Sequence, residues 1–142
     1  MNAQTENTKE TKENSNSDKM ELISQLEKQV SVSVWIQFIG QLMEAFYLSK
    51  IMLIDEEARS DANERQILLG AWIQTMGQFL EGFGTTKQLL TDEERLTLEA
   101  QEITNLGDWL QSLGVVLEAN AGTQIILEEK KNELEPTEEF LP

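Results

Sequence analysis

The sequence contains neither cysteine nor histidine, and this double absence excludes several chemistries at once. Without cysteine there is no disulfide framework and no thiol redox chemistry. Without histidine, Ser-His-Asp triads, histidine-based acid–base catalysis and the usual zinc sites are excluded as well. Serine and threonine hydroxyls are present, but no histidine is available to activate them. The sequence therefore predicts a protein that is not an enzyme and that carries no cofactor.

Basic residues are also scarce. The 142 residues include 11 Lys and Arg against 26 Asp and Glu, for a formal net charge of −15. Nucleic acids and anionic lipids both bind to positive surfaces, so nucleic acid is not an expected partner and membrane association is disfavoured. No apolar run approaches the ~18 residues of a transmembrane helix. The N-terminus has no apolar stretch of the secretory type, so we expect a cytoplasmic protein.

The two ends of the chain differ in composition from the middle. Residues 1–19 are almost all polar and predict a disordered tail, whereas residues 133–142 are rich in Glu and predict a short acidic tail. Between them, residues 20–132 have the size of one ordinary domain.

A tandem repeat organises this domain. Trp35, Trp72 and Trp109 are spaced 37 residues apart, and each is followed by Ile or Leu and then Gln. Equivalent residues recur five, nine and fourteen positions after each Trp: Gly40, Gly77 and Gly114; Glu44, Glu81 and Glu118; Ser49, Thr86 and Thr123. The repeat predicts three units, at 21–57, 58–94 and 95–131.

Each unit has the periodicity of an amphipathic helix. One face of this helix is apolar and recurs at the 3-4-3-4 spacing of a packing seam. In the second unit this apolar stripe consists of Leu69, Trp72, Met76, Phe79 and Phe83. We predict that the stripe forms the hydrophobic core, with Trp35, Trp72 and Trp109 at its centre.

A second stripe, here called the glycine stripe, also follows 3-4 spacing. Its residues are Ser33, Gln37, Gly40, Glu44 and Tyr47 in the first unit; Gly70, Gln74, Gly77, Glu81 and Gly84 in the second; Gly107, Gln111, Gly114, Glu118 and Ala121 in the third. Glycine inside a helix costs about 1 kcal/mol relative to alanine, so its recurrence indicates a close approach by another helix. We predict a packed interface at Gly40, Gly77 and Gly114, with hydrogen bonds from Gln37, Gln74 and Gln111 to Glu44, Glu81 and Glu118.

The remaining face of each predicted helix carries small or uncharged residues, such as Gln41 and Ala45 in the first unit and Thr75 and Gly82 in the second. A helix without a charged side usually has neighbours on most sides. Because three helices cannot surround each other, some of this surface is expected to be covered by another copy, another protein or a membrane surface.

The three recurring glutamates allow one alternative, a site for a hard cation such as calcium or magnesium. Short-linked helices run antiparallel, however, so the three carboxylates need not lie at the same level. A Gln on the same stripe also suits a structural hydrogen-bond network. We expect no metal site, and carboxylate metal binding stays the minor alternative.

One block of the second unit resembles a family of short tandem-repeat proteins of Bacillus-type Firmicutes, which carry Gly-x-Trp-Ile-Gln-x-Ile-Gly segments. The block reads Leu69-Gly70-Ala71-Trp72-Ile73-Gln74-Thr75-Met76-Gly77. The resemblance covers residues 21–131 and departs in the first unit, where Ser33 and Val34 stand in place of Gly-x. Since this family has no assigned activity, the resemblance implies a bacterial, non-enzymatic protein and contributes no site residues.

The sequence thus predicts an all-α domain of three repeat helices packed up-down-up. The alternative is a short α-solenoid of helix pairs, because 37 residues is a usual solenoid period. For function, the pattern favours a structural or interaction protein that forms a homo-oligomer or binds a protein partner through its small and polar helix faces. Association with a membrane surface is the second possibility.

Overall fold

The computed structural model describes the backbone of residues 3–91 and 93–134 and the side chains of residues 15–91 and 93–134. Four helices account for nearly all of this part of the chain: α1 (Ala3–Ile54), α2 (Glu56–Ser60), α3 (Ala62–Leu89) and α4 (Glu94–Leu134). The all-α prediction is confirmed. Each of the three tryptophans lies in a long helix of its own and not in a helix pair, which favours the up-down-up arrangement over the solenoid.

Two aspartates divide the chain between α1 and α3. The Asp55 carboxylate accepts hydrogen bonds from the backbone N–H groups of Glu57 and Ala58, and so caps the single helical turn of α2. Asp61 repeats the arrangement at the start of α3, where it accepts from the N–H groups of Asn63 and Glu64. Aspartate favours this position because its carboxylate satisfies N–H groups that have no partner within the helix. The two caps allow the chain to reverse direction in a few residues.

The three long helices form a sharply bent antiparallel layer with α3 at the bend. Thr75 and Gly82 of α3 face α1 while Gln74 and Glu81, one residue earlier, face α4, so α1 and α4 lie about 100° apart around α3. Along α1 and α3, Ser31 meets Thr86 while Gln41 meets Thr75, so the residue numbers run in opposite directions. Along α3 and α4, Gly70 lies against Gly114 and Gly84 lies against Ala100. Within the described residues, the backbones of α1 and α4 contact α3 but not each other.

The interior of this layer consists of small residues. Ala45, Ala71, Ala100 and Ala121 are fully buried, and glycines of α3 and α4 are buried beside them. Among the described residues, no large side chain is fully buried. Small residues allow two helix backbones to approach closely, so the helices are held together by backbone proximity and polar contacts more than by large apolar side chains.

The apolar stripe of α3, predicted as the core, lies instead on the exposed side of the layer. Its five residues, from Leu69 to Phe83, remain between 39% and 54% exposed. Among the tryptophans predicted as core residues, Trp35 is half-buried, Trp72 is 39% exposed and Trp109 is 70% exposed. The physical reason is the number of neighbours: α1 and α4 occupy the sides of α3 that carry small residues, and no further helix of the described chain covers the apolar side.

The ends of the chain also differ from their prediction where they are described. Residues 3–19, predicted as a disordered tail, form the first part of α1. This segment lacks glycine and proline and contains Glu, Lys and Gln, which are compatible with a helix. At the other end, Glu133 and Leu134 belong to α4, and residues 135–142 of the predicted acidic tail lie outside the described residues. Among the described helices, none combines the length and apolar character needed to cross a membrane.

Candidate functional site

The glycine stripes of α3 and α4 face each other at backbone contact distance. A Cβ atom placed on Gly70 would lie 2.7 Å from the carbonyl oxygen of Gly114, and one placed on Gly114 would lie 2.6 Å from that of Gly70. Gly77 and Gly107 form the same reciprocal pair, at 2.6 Å in both directions. No side chain larger than hydrogen fits at these positions without moving the helices apart. The cost of glycine in a helix is therefore offset by the contact that it permits.

Two hydrogen bonds cross this contact in a reciprocal pattern. The amide of Gln74 on α3 donates to the Glu118 carboxylate on α4 at 2.5 Å, and the amide of Gln111 on α4 donates to the Glu81 carboxylate on α3 at 2.7 Å. Gln74 and Gln111 are 37 residues apart in sequence, and so are Glu81 and Glu118. Each helix thus supplies one Gln donor and one Glu acceptor, and the two halves of the contact are related by an approximate two-fold axis.

Burial affects the chemistry of one of these carboxylates. Desolvation raises the pKa of Glu118 above its ordinary value, the hydrogen bond from Gln74 lowers it in part, and the charge of Glu44 raises it further. A carboxylate that is costly to keep charged is stabilised here mainly by the Gln74 amide. This arrangement suits a structural hydrogen bond. Within the described residues, no group of three or more acidic side chains is placed to share a metal ion.

The contact between α1 and α3 uses a different face of each helix, here called the tryptophan face. It is defined by the Trp and the Ser or Thr fourteen residues later, which are Trp35 and Ser49 on α1 and Trp72 and Thr86 on α3. The indole N–H of Trp35 donates to the Thr86 hydroxyl at 2.9 Å, and the indole N–H of Trp72 donates to the Ser49 hydroxyl at 3.0 Å. Both hydroxyls donate in turn to the backbone carbonyl four residues earlier, so their oxygens are oriented to accept. This contact is reciprocal too, because each helix contributes one Trp donor and one hydroxyl acceptor.

Aromatic rings complete this second contact. Phe79 of α3 lies against Trp35 and Phe38 of α1, with ring centroids 6.1 Å and 5.7 Å apart. Gly82 leaves room for the Trp35 ring, since a Cβ atom at Gly82 would lie 3.2 Å from it. The recurring hydroxyl fourteen residues after each Trp was visible in the sequence, but its role as acceptor for the next helix's indole was not predicted.

Only part of the predicted interface is used within the chain. Six of its nine residues lie in the contact between α3 and α4: Gly77, Gly114, Gln74, Gln111, Glu81 and Glu118. The other three, Gln37, Gly40 and Glu44 on α1, are exposed. A Cβ atom placed on Gly40 would meet no atom within 4 Å. The first copy of the glycine stripe therefore lies open on the surface of α1.

The open stripe is arranged like the stripe that is in contact. Gln41 donates to the Glu44 carboxylate at 3.0 Å, as Gln78 donates to the Glu81 carboxylate at 3.0 Å. The Glu44 side chain is thus held by its own helix in the way that Glu81 is held, although no second helix lies against it. The two stripes differ at one end, where bulky Tyr47 stands in the place of Gly84.

A continuous apolar surface covers the opposite side of α3 and the neighbouring part of α1. Leu42 and Phe38 of α1 meet Trp72, Met76 and Phe79 of α3 around a shallow hollow. Large exposed apolar patches are uncommon on monomeric proteins and mark contacts with proteins or membranes. The molecule thus presents two different surfaces with the features of an interface.

No protein-family description, no curated protein and no solved structure matches this chain.

Proposed function

We propose that the protein is a non-enzymatic interaction protein that self-associates through the open glycine stripe of α1. The observation that carries this proposal is the exposure of Gln37, Gly40 and Glu44, whose counterparts on α3 and α4 are engaged in a backbone-close, hydrogen-bonded helix contact. The absence of cysteine and histidine from the sequence is in keeping with a role that involves no catalysis.

A second copy of the chain is the partner that best fits this surface. In the contact between α3 and α4, the residue equivalent to Gly40 meets the residue equivalent to Ser33, and the residue equivalent to Gln37 meets the residue equivalent to Glu44. A two-fold symmetric dimer imposes the same rule, because residue i of one copy contacts j while j contacts i. Two α1 helices placed antiparallel would pair Gly40 with Ser33 and Gln37 with Glu44, twice. Because Ser33 and Tyr47 are larger than the glycines at the equivalent places of α3, the two α1 helices would lie farther apart than α3 and α4 do.

Absolute mass in solution tests the proposal. We expect light scattering after size exclusion to show dimers or larger species that dissociate on dilution. Gly40→Leu places a large side chain at the centre of the contact and should shift the equilibrium toward smaller species. It should not unfold the chain, because the space around Gly40 is open. Lys50→Leu adds the same side chain elsewhere on α1, at an exposed position outside the stripe, and serves as the control.

A strictly monomeric protein at high concentration would overturn the proposal. So would an assembly whose dissociation responds equally to Gly40→Leu and to Lys50→Leu. Circular dichroism of both variants at low concentration distinguishes loss of assembly from loss of the helices themselves.

The exposed apolar surface of α1 and α3 favours a second candidate, binding to a membrane surface. Trp72, Met76 and Phe79 are large, exposed and contiguous, as in helices that lie in the lipid interface. The charge of −15 opposes anionic lipid, so the appropriate probe is a vesicle of neutral phosphatidylcholine. Co-flotation that Met76→Glu abolishes would support this candidate, and failure to float would remove it.

A further inference from the structure

An open groove runs between α1 and α4 on one side of the bundle. Both helices pack on α3, and within the described residues their backbones do not contact each other. After burial, the charge of Glu44 on α1 also raises the pKa of Glu118 on α4, so the two walls lie within reach of each other's charges. A single helix placed in this groove would therefore contact α1 and α4 together.

The relative level of the two walls follows from their contacts with α3. The carbonyl oxygen of Gln41 on α1 accepts a hydrogen bond from Thr75 of α3. Gly77, two residues further along α3, lies against Gly107 of α4. Trp109 is therefore nearly level with Gln41. Because α1 and α4 both run antiparallel to α3, they are parallel to each other, and the part of α4 that follows Trp109 runs beside the last turns of α1.

The α4 wall carries a third tryptophan face. Trp109 and Thr123 repeat the pair of a Trp and a hydroxyl fourteen residues later that α1 and α3 use on each other. Trp109 is 70% exposed, and no residue in the described part of the chain accepts a hydrogen bond from its indole. The Thr123 hydroxyl donates to the Ala119 carbonyl at 2.7 Å, as Ser49 donates to Ala45 at 2.7 Å. Its oxygen is thus oriented to accept an indole N–H, as that of Ser49 does.

The α1 wall continues the open glycine stripe toward the end of the helix. Glu44, Tyr47 and Ile51 follow one another at 3-4 spacing, and all three are exposed. They lie beside the stretch of α4 between Trp109 and Thr123. This wall thus offers one carboxylate and two large apolar side chains to a helix that occupies the tryptophan face of α4.

We infer that the groove binds one helix of another polypeptide, antiparallel to α4, that carries a Trp and a Ser or Thr fourteen residues later. The indole of this helix donates to Thr123, and its hydroxyl accepts from Trp109, as α1 and α3 do with each other. Its neighbouring side lies against Tyr47 and Ile51 of α1, which favours small or apolar residues there.

A second copy of this chain does not supply that helix. The α1 and α3 helices of a second copy use their tryptophan faces on each other. Its α4 is free on this face, but docking it as α1 docks on α3 would bring its own α3 to the place where α1 already lies. The occupant is therefore a helix whose two neighbouring sides are both uncovered, and such a helix belongs to a different polypeptide.

This inference goes beyond the proposed self-association and does not require it, because the groove is formed within one chain. The two events use one residue in common. The proposed α1 contact pairs Glu44 with Gln37 of a second copy, and a helix in the groove also lies beside Glu44. We therefore expect helix binding and self-association to exclude each other.

One residue of the α4 wall selects among partners. Asp108 stands where α1 has Val34, which is 5% exposed, and where α3 has Ala71, which is fully buried. Covering this carboxylate with a helix carries a desolvation cost. A partner with Lys or Arg at the facing position offsets the cost through a charge-assisted hydrogen bond. For a partner without that cation, Asp108→Ala should strengthen binding.

A peptide of residues 61–90 is a suitable probe. It contains α3 with its Asp61 cap and carries Trp72 and Thr86 in the required arrangement. A fluorescently labelled form, titrated with the full chain, should bind saturably with one peptide per chain and gain helicity by circular dichroism. Light scattering should show self-associated chain converting to the one-to-one complex. Asp108→Ala in the chain should tighten binding about tenfold.

Paired substitutions test the register. Thr123→Val in the chain and Trp72→Phe in the peptide remove the two ends of one hydrogen bond, so each should weaken binding about fivefold and both together no more than either alone. Thr123→Val in the chain and Thr86→Val in the peptide remove different bonds, and their effects should multiply. If the peptide took the place of the chain's own α3, its Trp72 would couple to Ser49 instead, and Ser49→Ala in the chain provides that control.

The α1 wall has a matched pair of variants. Ile51→Glu places a carboxylate in the groove and should weaken peptide binding about tenfold. Ile39 is exposed to a similar extent, 56% against 51%, but lies about 120° further round α1. Ile39→Glu should therefore leave the binding unchanged, and equal effects of the two substitutions would contradict the placement of the helix beside α1.

The outcomes separate this inference from the proposed function. Absence of saturable peptide binding to both the parent and the Asp108→Ala chain overturns the inference, and so does coupling of the peptide's Trp72 to Ser49 in place of Thr123. Self-association is judged from the mass of the chain without peptide. A strictly monomeric chain that binds the peptide as stated retains the groove and loses the α1 contact, and a self-associating chain that binds no peptide does the reverse.

Discussion

Gly77 of α3 and Gly107 of α4 lie so close that a Cβ atom added to either would come within 2.6 Å of the carbonyl oxygen of the other. The pair is one of several along the same contact, flanked by Gly70 with Gly114 and by Gly84 with Ala100. The packing of α3 against α4 is therefore governed by the absence of side chains at these positions.

The glycines of the chain should fall into two classes on substitution by alanine. Gly77→Ala gains about 1 kcal/mol of helix propensity, but forcing the backbones apart costs about 1–3 kcal/mol, so we expect a net loss. Gly40→Ala and Gly122→Ala meet no atom within 4 Å and should stabilise by up to about 1 kcal/mol. Urea denaturation at a concentration where the chain is monomeric measures all three. Equal effects at Gly40 and Gly77 would contradict the close contact.

The three tryptophans should also respond differently to phenylalanine. Trp35→Phe removes the hydrogen bond to Thr86 and Trp72→Phe removes the one to Ser49, each worth about 0.5–1.5 kcal/mol. Trp109→Phe should change the unfolding free energy of the monomer by less than about 0.5 kcal/mol, because its side chain is mostly exposed. The measurement is again chemical denaturation of dilute protein. A Trp109→Phe monomer as destabilised as Trp72→Phe would show that α4 has a partner within the chain.

The stability of the contact between α3 and α4 should depend on pH through Glu118. Burial raises the pKa of this carboxyl in the folded chain above its ordinary value of 4.5. A raised pKa means that the folded state binds the proton more tightly than the unfolded state. The stabilisation from this group is complete below about pH 4.5 and is lost as pH rises through the folded pKa.

Glu118→Gln removes this dependence, since the amide is neutral and its oxygen can still accept from Gln74. We expect the variant to gain stability relative to the parent at neutral pH, and this gain to shrink as pH falls toward 4.5. Glu129→Gln, at an exposed position on the same helix, controls for the loss of one negative charge. A gain that is constant with pH, or equal in both variants, would exclude burial of Glu118 as the cause.

Exchanging the Gln37 donor and the Glu44 acceptor tests whether these two residues face each other across the proposed α1 contact. Gln37→Glu would place two carboxylates opposite each other across the dimer and should weaken association by at least about tenfold, or ~1.4 kcal/mol. Combining it with Glu44→Gln restores one donor and one acceptor to each pair and should recover most of the loss. Analytical ultracentrifugation of the single and double variants measures this. An additive loss in the double variant would mean that Gln37 and Glu44 do not face each other.

How far the sequence predicts this structure depends on the kind of residue concerned. Gly77 and Gly114 indicate a close helix contact because glycine is unfavourable in a helix, so its recurrence requires a compensating interaction. The spacing of Trp35, Trp72 and Trp109 places one tryptophan in each long helix. These features follow from local propensities and periodicity.

The exposure of the apolar stripe could not be predicted from its periodicity. A 3-4 spacing of Leu69, Trp72 and Met76 shows that one side of α3 is apolar, but not that a neighbour covers it. Every unit also carries the same stripes, so the sequence does not tell whether Gln37 meets a Glu of its own chain or of another. Only the three-dimensional arrangement shows which sides of each helix are covered by a neighbouring helix.

The alternation of the two contacts across the layer makes the number of helices itself significant. α1 meets α3 by tryptophan faces and α3 meets α4 by glycine stripes, so a chain of three helices ends in two unlike faces. Because α1 and α4 pack on sides of α3 that are one residue, or about 100°, apart, these two faces border the same space and do not lie at opposite ends of a row. Three helices of this type therefore leave one side of the bundle open, and a fourth helix placed there would contact α1 and α4 at once.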